Sequence, residues 1–403
     1  MSQPSPAPTL RRSLGPWSMT LYGLGTIVGA GIFVLIGEVI GVSGSAAPAA
    51  FVLAASIAAL TGLSYAQLAA RHPRSAGEAA YVNAAFARDS LTLIIGLAVA
   101  LSGMVSAATM AHGFARYLSS LIALPAPLVT LGYLAALGAV ATWGIRESAA
   151  LVGLLAISTV VGLLAIVLAV VGGEGHWQWP QAVVQWPGLR NTAWFSGAFL
   201  AFYAFIGFED LANLAEETRH PGRTLGIAIP LSMALSAMLY VLLCITALGA
   251  LPVQELAASA APMVTLLEYS GYPGATIVAV LGLLAITNGA LAQLIMAARV
   301  LYGLSQQRQL PAWLASVHPG RHTPWAATVV ATGFTMSLTM IGGLVLLAQL
   351  TSALILLIFT MVNLALVALL RQEKRHWGRY LLPLLGAASA SGLLLLAVPG
   401  GHA

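Results

Sequence analysis

The sequence predicts an all-α polytopic membrane protein of about 11 transmembrane helices, arranged as a five-plus-five inverted repeat in which helices 1 and 6 are discontinuous. Three observations predict this. Hydrophobic residues make up 59% of the 403-residue chain and charged residues only 7%, with a mean hydropathy of +0.91; a soluble domain carries about 25% charged residues. Apolar runs of about 20 residues, each long enough to cross a hydrocarbon core of about 30 Å, recur along nearly the whole length. Two of these runs, in corresponding positions of the two halves, are interrupted by glycine.

The chain opens with MSQPSPAPTLRRSLGPW, polar and proline-rich, with no A-x-A-like cleavage pattern. Residues 1–16 are therefore read as an uncleaved cytoplasmic tail, and Arg11–Arg12 as a retention signal rather than a twin-arginine export signal. The spans are placed at 17–41, 46–70, 91–119, 126–143, 148–171, 192–215, 227–250, 274–304, 325–347, 349–370 and 380–398. Residues 17–171 form the first five-helix repeat, 172–191 an outer loop and 192–370 the second, inverted repeat. Residues 371–403 supply an inner basic loop, the eleventh helix and a short tail. A β-barrel would need short alternating segments instead.

Loop charge tests this count. With the N-terminus inside, 15 of the 17 basic residues fall on the inner side, leaving only Arg116 and Arg190 outside. The net charge of +5 is thus that of membrane-surface loops, not of a nucleic-acid binder. The outer loops are rich in tryptophan and proline, and Trp177, Trp179, Trp186 and Trp194 are expected to be interfacial anchors. Cys244, the single cysteine, lies in an apolar run as a packing residue.

GLGTIVGAGIF, residues 23–33, admits three readings. A dinucleotide loop needs G-x-G-x-x-G between a strand and a helix; Val28 stands where the third glycine should be and no such unit surrounds it. Gly25 and Gly29 form a G-x-x-x-G helix-packing pair, which explains some of the glycines. Gly29, Ala30 and Gly31 together make a local break cheap. A break at membrane depth frees backbone groups that hydrocarbon does not tolerate unless they meet a cavity or a polar ligand. Amides at the start of the following half-helix suit a carboxylate, and carbonyls ending the preceding half suit an ammonium or cation. An α-amino acid carries both groups. Span six repeats the pattern in FYAFIGFEDLANLAEE, residues 202–217, around Gly207.

These residues resemble the amino acid permeases of the amino acid, polyamine and organocation (APC) transporter superfamily. GTIVGAGIF (25–33) is similar to that family's first-helix signature, and FYAFIGFEDLANLAEETRHPGRTLGIAI (202–229) to its sixth helix and following loop. NGALAQLIMAARVLYGLSQQRQLPAWL (288–314) and GIRESA (144–149) extend the similarity. The resemblance implies secondary active transport of amino acids by alternating access. Substrate carboxylate would meet the backbone at Ala30, Gly31 and Ile32, and the amino group carbonyls near Ile27, Tyr203 and Ile206, with Gly29, Ala204 and Gly207 beside them as further substrate-binding residues. Tyr203 occupies the position of an aromatic gate and Glu209 that of an acid implicated in coupling or gating. An ordinary core aromatic and a structural acceptor for unwound backbone remain open for the same two residues. Ala30 stands where many relatives carry a hydroxyl, Ser158 and Thr159 where some proton-coupled relatives carry lysine, and eleven spans appear where many have twelve.

Asn288, mid-span, faces the site or bonds across helices, and both uses stay open. His112 is expected to be a packing histidine. Glu209 is the first choice for a proton-sensitive residue, since an intramembrane carboxylate is a functional-site hypothesis by default. There is no H-E-x-x-H, G-x-S-x-G or Cys/His cluster, so neither a metal nor a cofactor is expected, and an intramembrane enzyme is disfavoured. A channel would favour polar rings along a continuous pore. The expectation is a transporter of neutral amino acids in a bacterial inner membrane. Proton symport, exchange, export and the oligomeric state all stay open.

Overall fold

The computed structural model describes residues 14–71, 77–143, 149–173, 175, 177–180, 193–215, 218–321 and 323–397. Every regular element among them is helical, apart from an isolated bridge between Leu14 and Thr218. Helices α1 (Pro16–Ile27) and α2 (Ala30–Ser43) make the first crossing and α3 (Ala47–Arg71) the second. After the short helix α4 (Gly77–Phe86) come α5 (Asp89–Ser119), α6 (Ala126–Trp143) and α7 (Ala149–Gly172). The sixth crossing is built from α8 (Ala193–Ala201), a 3₁₀ turn (Phe202–Phe205) and α9 (Asp210–Asn213). The seventh is α10 (Pro221–Ala250), followed by two short helices, α11 (Val253–Ala258) and α12 (Pro262–Tyr269). Last come α13 (Ala275–Gln306), α14 (Trp325–Ile341), α15 (Leu344–Gln372) and α16 (Leu381–Ala397).

Among the described residues the crossings follow the runs read from the sequence, because the hydrocarbon sets a minimum apolar length that nine helical stretches meet, Ala30–Arg71 covering two of the runs. α14 and α16, at 17 residues and about 26 Å each, are the shortest of the unbroken crossings. The halves interlock reciprocally. The first crossing packs on the seventh and the sixth on the second, while the third pairs with the eighth and the fourth with the ninth. Each pair maps onto its counterpart when the first crossing is exchanged for the sixth, the second for the seventh and so on, as a two-fold relation between halves requires. α5 and α13, of 31 and 32 residues, pack along one another beside both interrupted crossings.

Several boundaries differ from the sequence reading. The ninth span ends at Ile341 rather than 347, because Gly342 and Gly343 are extended and break the helix inside an unbroken apolar run. α10 begins at Pro221, six residues early, since proline suits a first helical position. The loop at 252–274 is largely helical: α11 and α12 pack on α2, and a Cβ at Gly37 would stand 2.6 Å from Leu256 O.

Trp194 is buried and so not an interfacial anchor, Trp177 is half-buried with its Nε1 donating to Thr246 O, and Trp179 is exposed. Trp186, Glu216, Glu217 and 144–148 lie outside the described residues. Contacts between helix ends agree with the alternation of sides. Arg71, ending the second crossing, pairs with Glu373 after the tenth at 3.2 Å. Arg116, ending the third, pairs with Glu38 at 2.6 Å and donates to Ser259 O at 2.8 Å. His112 Nε2 lies 3.0 Å from Gly342 O, a packing role, and Cys244 is buried.

Candidate functional site

The first break is short. Val28 N–H still donates to Leu24 O at 2.7 Å, Gly29 N–H turns back to Ile27 O at 2.9 Å, and Gly29 takes φ −128° and ψ −130° before α2 starts at Ala30. The amides of Ala30, Gly31 and Ile32 form the opening turn of α2, where no upstream carbonyl is placed to bond them. The second break is longer. The 3₁₀ turn ends at Phe205, Ile206 is extended (φ −64°, ψ 139°), and Gly207 has φ +119°. That left-handed φ requires glycine. Glu209 spans the gap, its Oε2 accepting the Gly207 N–H at 2.9 Å.

The two breaks touch, and glycine permits both contacts. A Cβ on Gly31 would stand 2.5 Å from Ala204 Cα, and one on Gly207 2.6 Å from Thr26 O. Tyr240, buried on α10, ties them together: its hydroxyl lies 2.7 Å from Ile27 O and 3.0 Å from Ala204 O. The ring of Phe205 packs on it at 5.2 Å between centroids.

Between the breaks, α5 and α13 lies a cavity of about 40 Å³. Of the residues singled out from sequence, Ile27, Gly29, Ala30, Gly31, Tyr203, Ala204, Ile206 and Asn288 line it. Four others do not. Ile32 is fully buried outside the lining, Gly207 rests against Thr26, and Glu209 is turned onto the backbone. Thr159 faces a second cavity of about 10 Å³ on the other side of the first break, shared with Ser158, Gly29 and Asn288. That space holds about one water.

Tyr203 is fixed rather than free: its hydroxyl is 3.0 Å from Ser106 Oγ and 3.1 Å from Ser106 O. Its ring is a wall between α5 and the sixth crossing.

Sequence reasoning missed Ser106 and Met110 on α5, Gly289 and Gln293 on α13, and the clasp of Tyr240. Gln293 carries the same signal as Asn288, a polar side chain inside an apolar span, and was legible on that ground. Met110 has no such signal, because a methionine in a membrane helix reads as lipid-facing or core alike. Outside the cavity lining, a buried aromatic cluster follows the second break, in which the Tyr65 ring meets Phe208 at 5.6 Å and Phe359 at 5.5 Å. Tyr65 also donates to Glu78 of α4 at 3.1 Å. Burial raises the Glu78 carboxyl above the usual carboxylate range.

A helical bundle in which two broken helices from matching halves enclose a small site is the architecture of a secondary transporter. The sequence matches the amino acid permease family over residues 14–400, and the chain belongs to that family of integral membrane transporters. It is 30% identical to an uncharacterised transporter of Mycobacterium tuberculosis over 94% of this chain and 84% of the relative. It is also 30% identical to the branched-chain amino acid permease BcaP of Bacillus subtilis, over 91% and 82%. A methylthioribose transporter of Bacillus subtilis is 25% identical over 93% and 84%. Family and relatives are transporters rather than enzymes, and the family is that of the amino acid permeases.

Proposed function

We propose that the protein carries neutral amino acids across a bacterial inner membrane by alternating access, with its N-terminus in the cytoplasm. The observation that carries this reading is the meeting of the two breaks. Residues that open α2 (Ala30, Gly31) and residues that end the preceding half-helices (Ile27, Ile206) line one small cavity, which supports this reading. The substrate carboxylate binds at the backbone of Ala30 and Gly31, which line the cavity, without help from a side-chain hydroxyl at position 30, and the ammonium binds at carbonyls of the breaks, that of Ile206 foremost. The Ile27 carbonyl already accepts from the Tyr240 hydroxyl at 2.7 Å and from the Gly29 N–H at 2.9 Å, so the ammonium is held chiefly at the Ile206 carbonyl. Ala30, Met110, Ala204 and Ile206 give the side chain an apolar surround. The names of the relatives span branched-chain amino acids, cationic amino acids and a thio-sugar, so the neutral class rests on this lining.

The test is uptake by purified protein in proteoliposomes from a labelled panel of neutral, cationic and acidic amino acids. Each is run with a pH gradient, a sodium gradient or internal amino acid. Neutral amino acids are expected to be taken up and displaced by one another. A preference for cationic cargo overturns the substrate class, and no flux with any amino acid overturns the whole reading.

A further inference from the structure

The hydroxyl groups that reach the cavity are already engaged. Ser106 Oγ and the Tyr203 hydroxyl lie 3.0 Å apart, Thr26 Oγ1 donates to Gly23 O at 3.1 Å, and Tyr22 and Asp210 have partners of their own. The carboxamides of Asn288 and Gln293 differ: neither has a hydrogen-bond partner among the described residues, and both residues line the cavity. Gln293 is the more telling of the two, because it is only 7% exposed. A carboxamide carries two donors and an acceptor, and buried polar side chains go unpaired only rarely. What completes this one enters through the cavity.

Small residues set where the Gln293 amide reaches. A Cβ on Gly103 of α5 would stand 2.9 Å from Gln293 O, so α13 rests on α5 by its backbone at this level. Side chains on a helix lean toward its N-terminus, and residues four apart share a face. Gln293 therefore leans back over Gly289, where the absence of a side chain leaves the way open toward the first break. A Cβ at Gly289 would already stand 3.1 Å from Met110 Sδ and 3.4 Å from Ala30 Cβ. The cavity, at about 40 Å³, is room for about three waters, so a cargo side chain that meets the amide there is short. An uncharged amide favours a group that both donates and accepts, and the shortest such side chain is a hydroxyl.

We propose that Gln293 is a specificity-determining residue: its carboxamide hydrogen-bonds the side-chain hydroxyl of the cargo, so that serine and threonine are preferred over apolar amino acids of the same shape. Ala30, Met110 and Ala204 enclose the stem of that side chain. This inference rests on the proposed movement of neutral amino acids and names the class within it.

The test uses the full chain in proteoliposomes, with uptake of labelled alanine competed by two isosteric pairs, serine against 2-aminobutyrate and threonine against valine. Each pair exchanges a hydroxyl for a methyl at constant shape. In the wild type the hydroxylated member is expected to inhibit at about tenfold lower concentration, the scale of one neutral hydrogen bond made or left unmade in a closed site. In Gln293→Leu and Gln293→Met both ratios are expected to fall to about one. A Gln293 that only packs α13 would weaken all the competitors in parallel and keep the ratios, and that outcome overturns the proposal. So does a wild type that fails to distinguish the members of either pair. Where neither variant reaches the membrane, the wild-type ratios decide, since they need no variant to fold. In each overturning case alanine flux persists and the proposed function stands; no flux with any amino acid in the wild type removes both.

Discussion

Replacing Gly31 by alanine probes whether the two breaks must touch. A Cβ there would stand 2.5 Å from Ala204 Cα and 3.1 Å from Ala204 Cβ. Carbon atoms rest at about 3.5–4.0 Å, so the opening turn of α2 and the sixth crossing must separate by about 1 Å. In an unobstructed helix the change from glycine to alanine gains about 0.5–1 kcal/mol. Here both neighbours are backbone-anchored, and overpacking costs about 1–3 kcal/mol, which reverses the sign. The same shift moves the amides off the proposed position of the substrate carboxylate. Hydrogen bonds to a charged group are worth about 1.5–3 kcal/mol, and at about 1.4 kcal/mol per tenfold the apparent KM rises about ten- to a hundredfold. The assay is concentration-dependent uptake in proteoliposomes, together with thermal unfolding in detergent. Gly226→Ala is the control, because its Cβ meets nothing within 4 Å. A Gly31→Ala protein with wild-type KM, maximal rate and melting temperature would refute the argument that this contact shapes the site.

Three further outcomes are expected. Tyr240→Phe deprives the carbonyls of Ile27 and Ala204 of their shared donor, at a cost of about 1–3 kcal/mol; thermal melting should shift down and initial uptake rates fall, and an unchanged melt would count against the clasp. Gly289→Ala puts a methyl 3.1 Å from Met110 Sδ and 3.4 Å from Ala30 Cβ. The flexible thioether yields, so the cavity narrows, and leucine uptake should fall about tenfold relative to glycine, the scale of one methylene in a pocket. Glu78→Gln tests the buried carboxyl of α4. Because folding raises the pKa of Glu78, the folded state holds the proton more tightly. The wild type therefore loses stability as pH rises from about 4.3, the ordinary glutamate value, through the raised one. Melting curves across that range should show the variant gaining on the wild type as pH increases, and parallel curves would remove Glu78 from that role.

The interrupted crossings were legible because they violate a local rule: glycines and carboxylates stand where a bilayer demands apolar helix. Hence Ile27, Gly29, Ala30, Gly31, Tyr203, Ala204 and Ile206 were named from sequence and line the cavity. Ile32 and Gly207 were named on the same evidence and do not, because backbone availability says nothing of which way a turn is rotated. Thr159 faces the other side of the first break for the same reason. The helices α4, α11 and α12 escaped because they are too short or too weakly apolar to stand out from loop.

The sequence by itself determined the membrane setting, the number of crossings and the two places where the helices fail, since each is a property of one chain segment measured against the bilayer. Only the tertiary structure decided that Gly31 meets Ala204, that Gly207 meets Thr26 and that Tyr240 holds both breaks from a third helix. It also separated Glu209, spent on backbone, from Asp210, presented to the cavity. These depend on the relative rotation and depth of helices far apart in the chain, which packing fixes and hydropathy does not record.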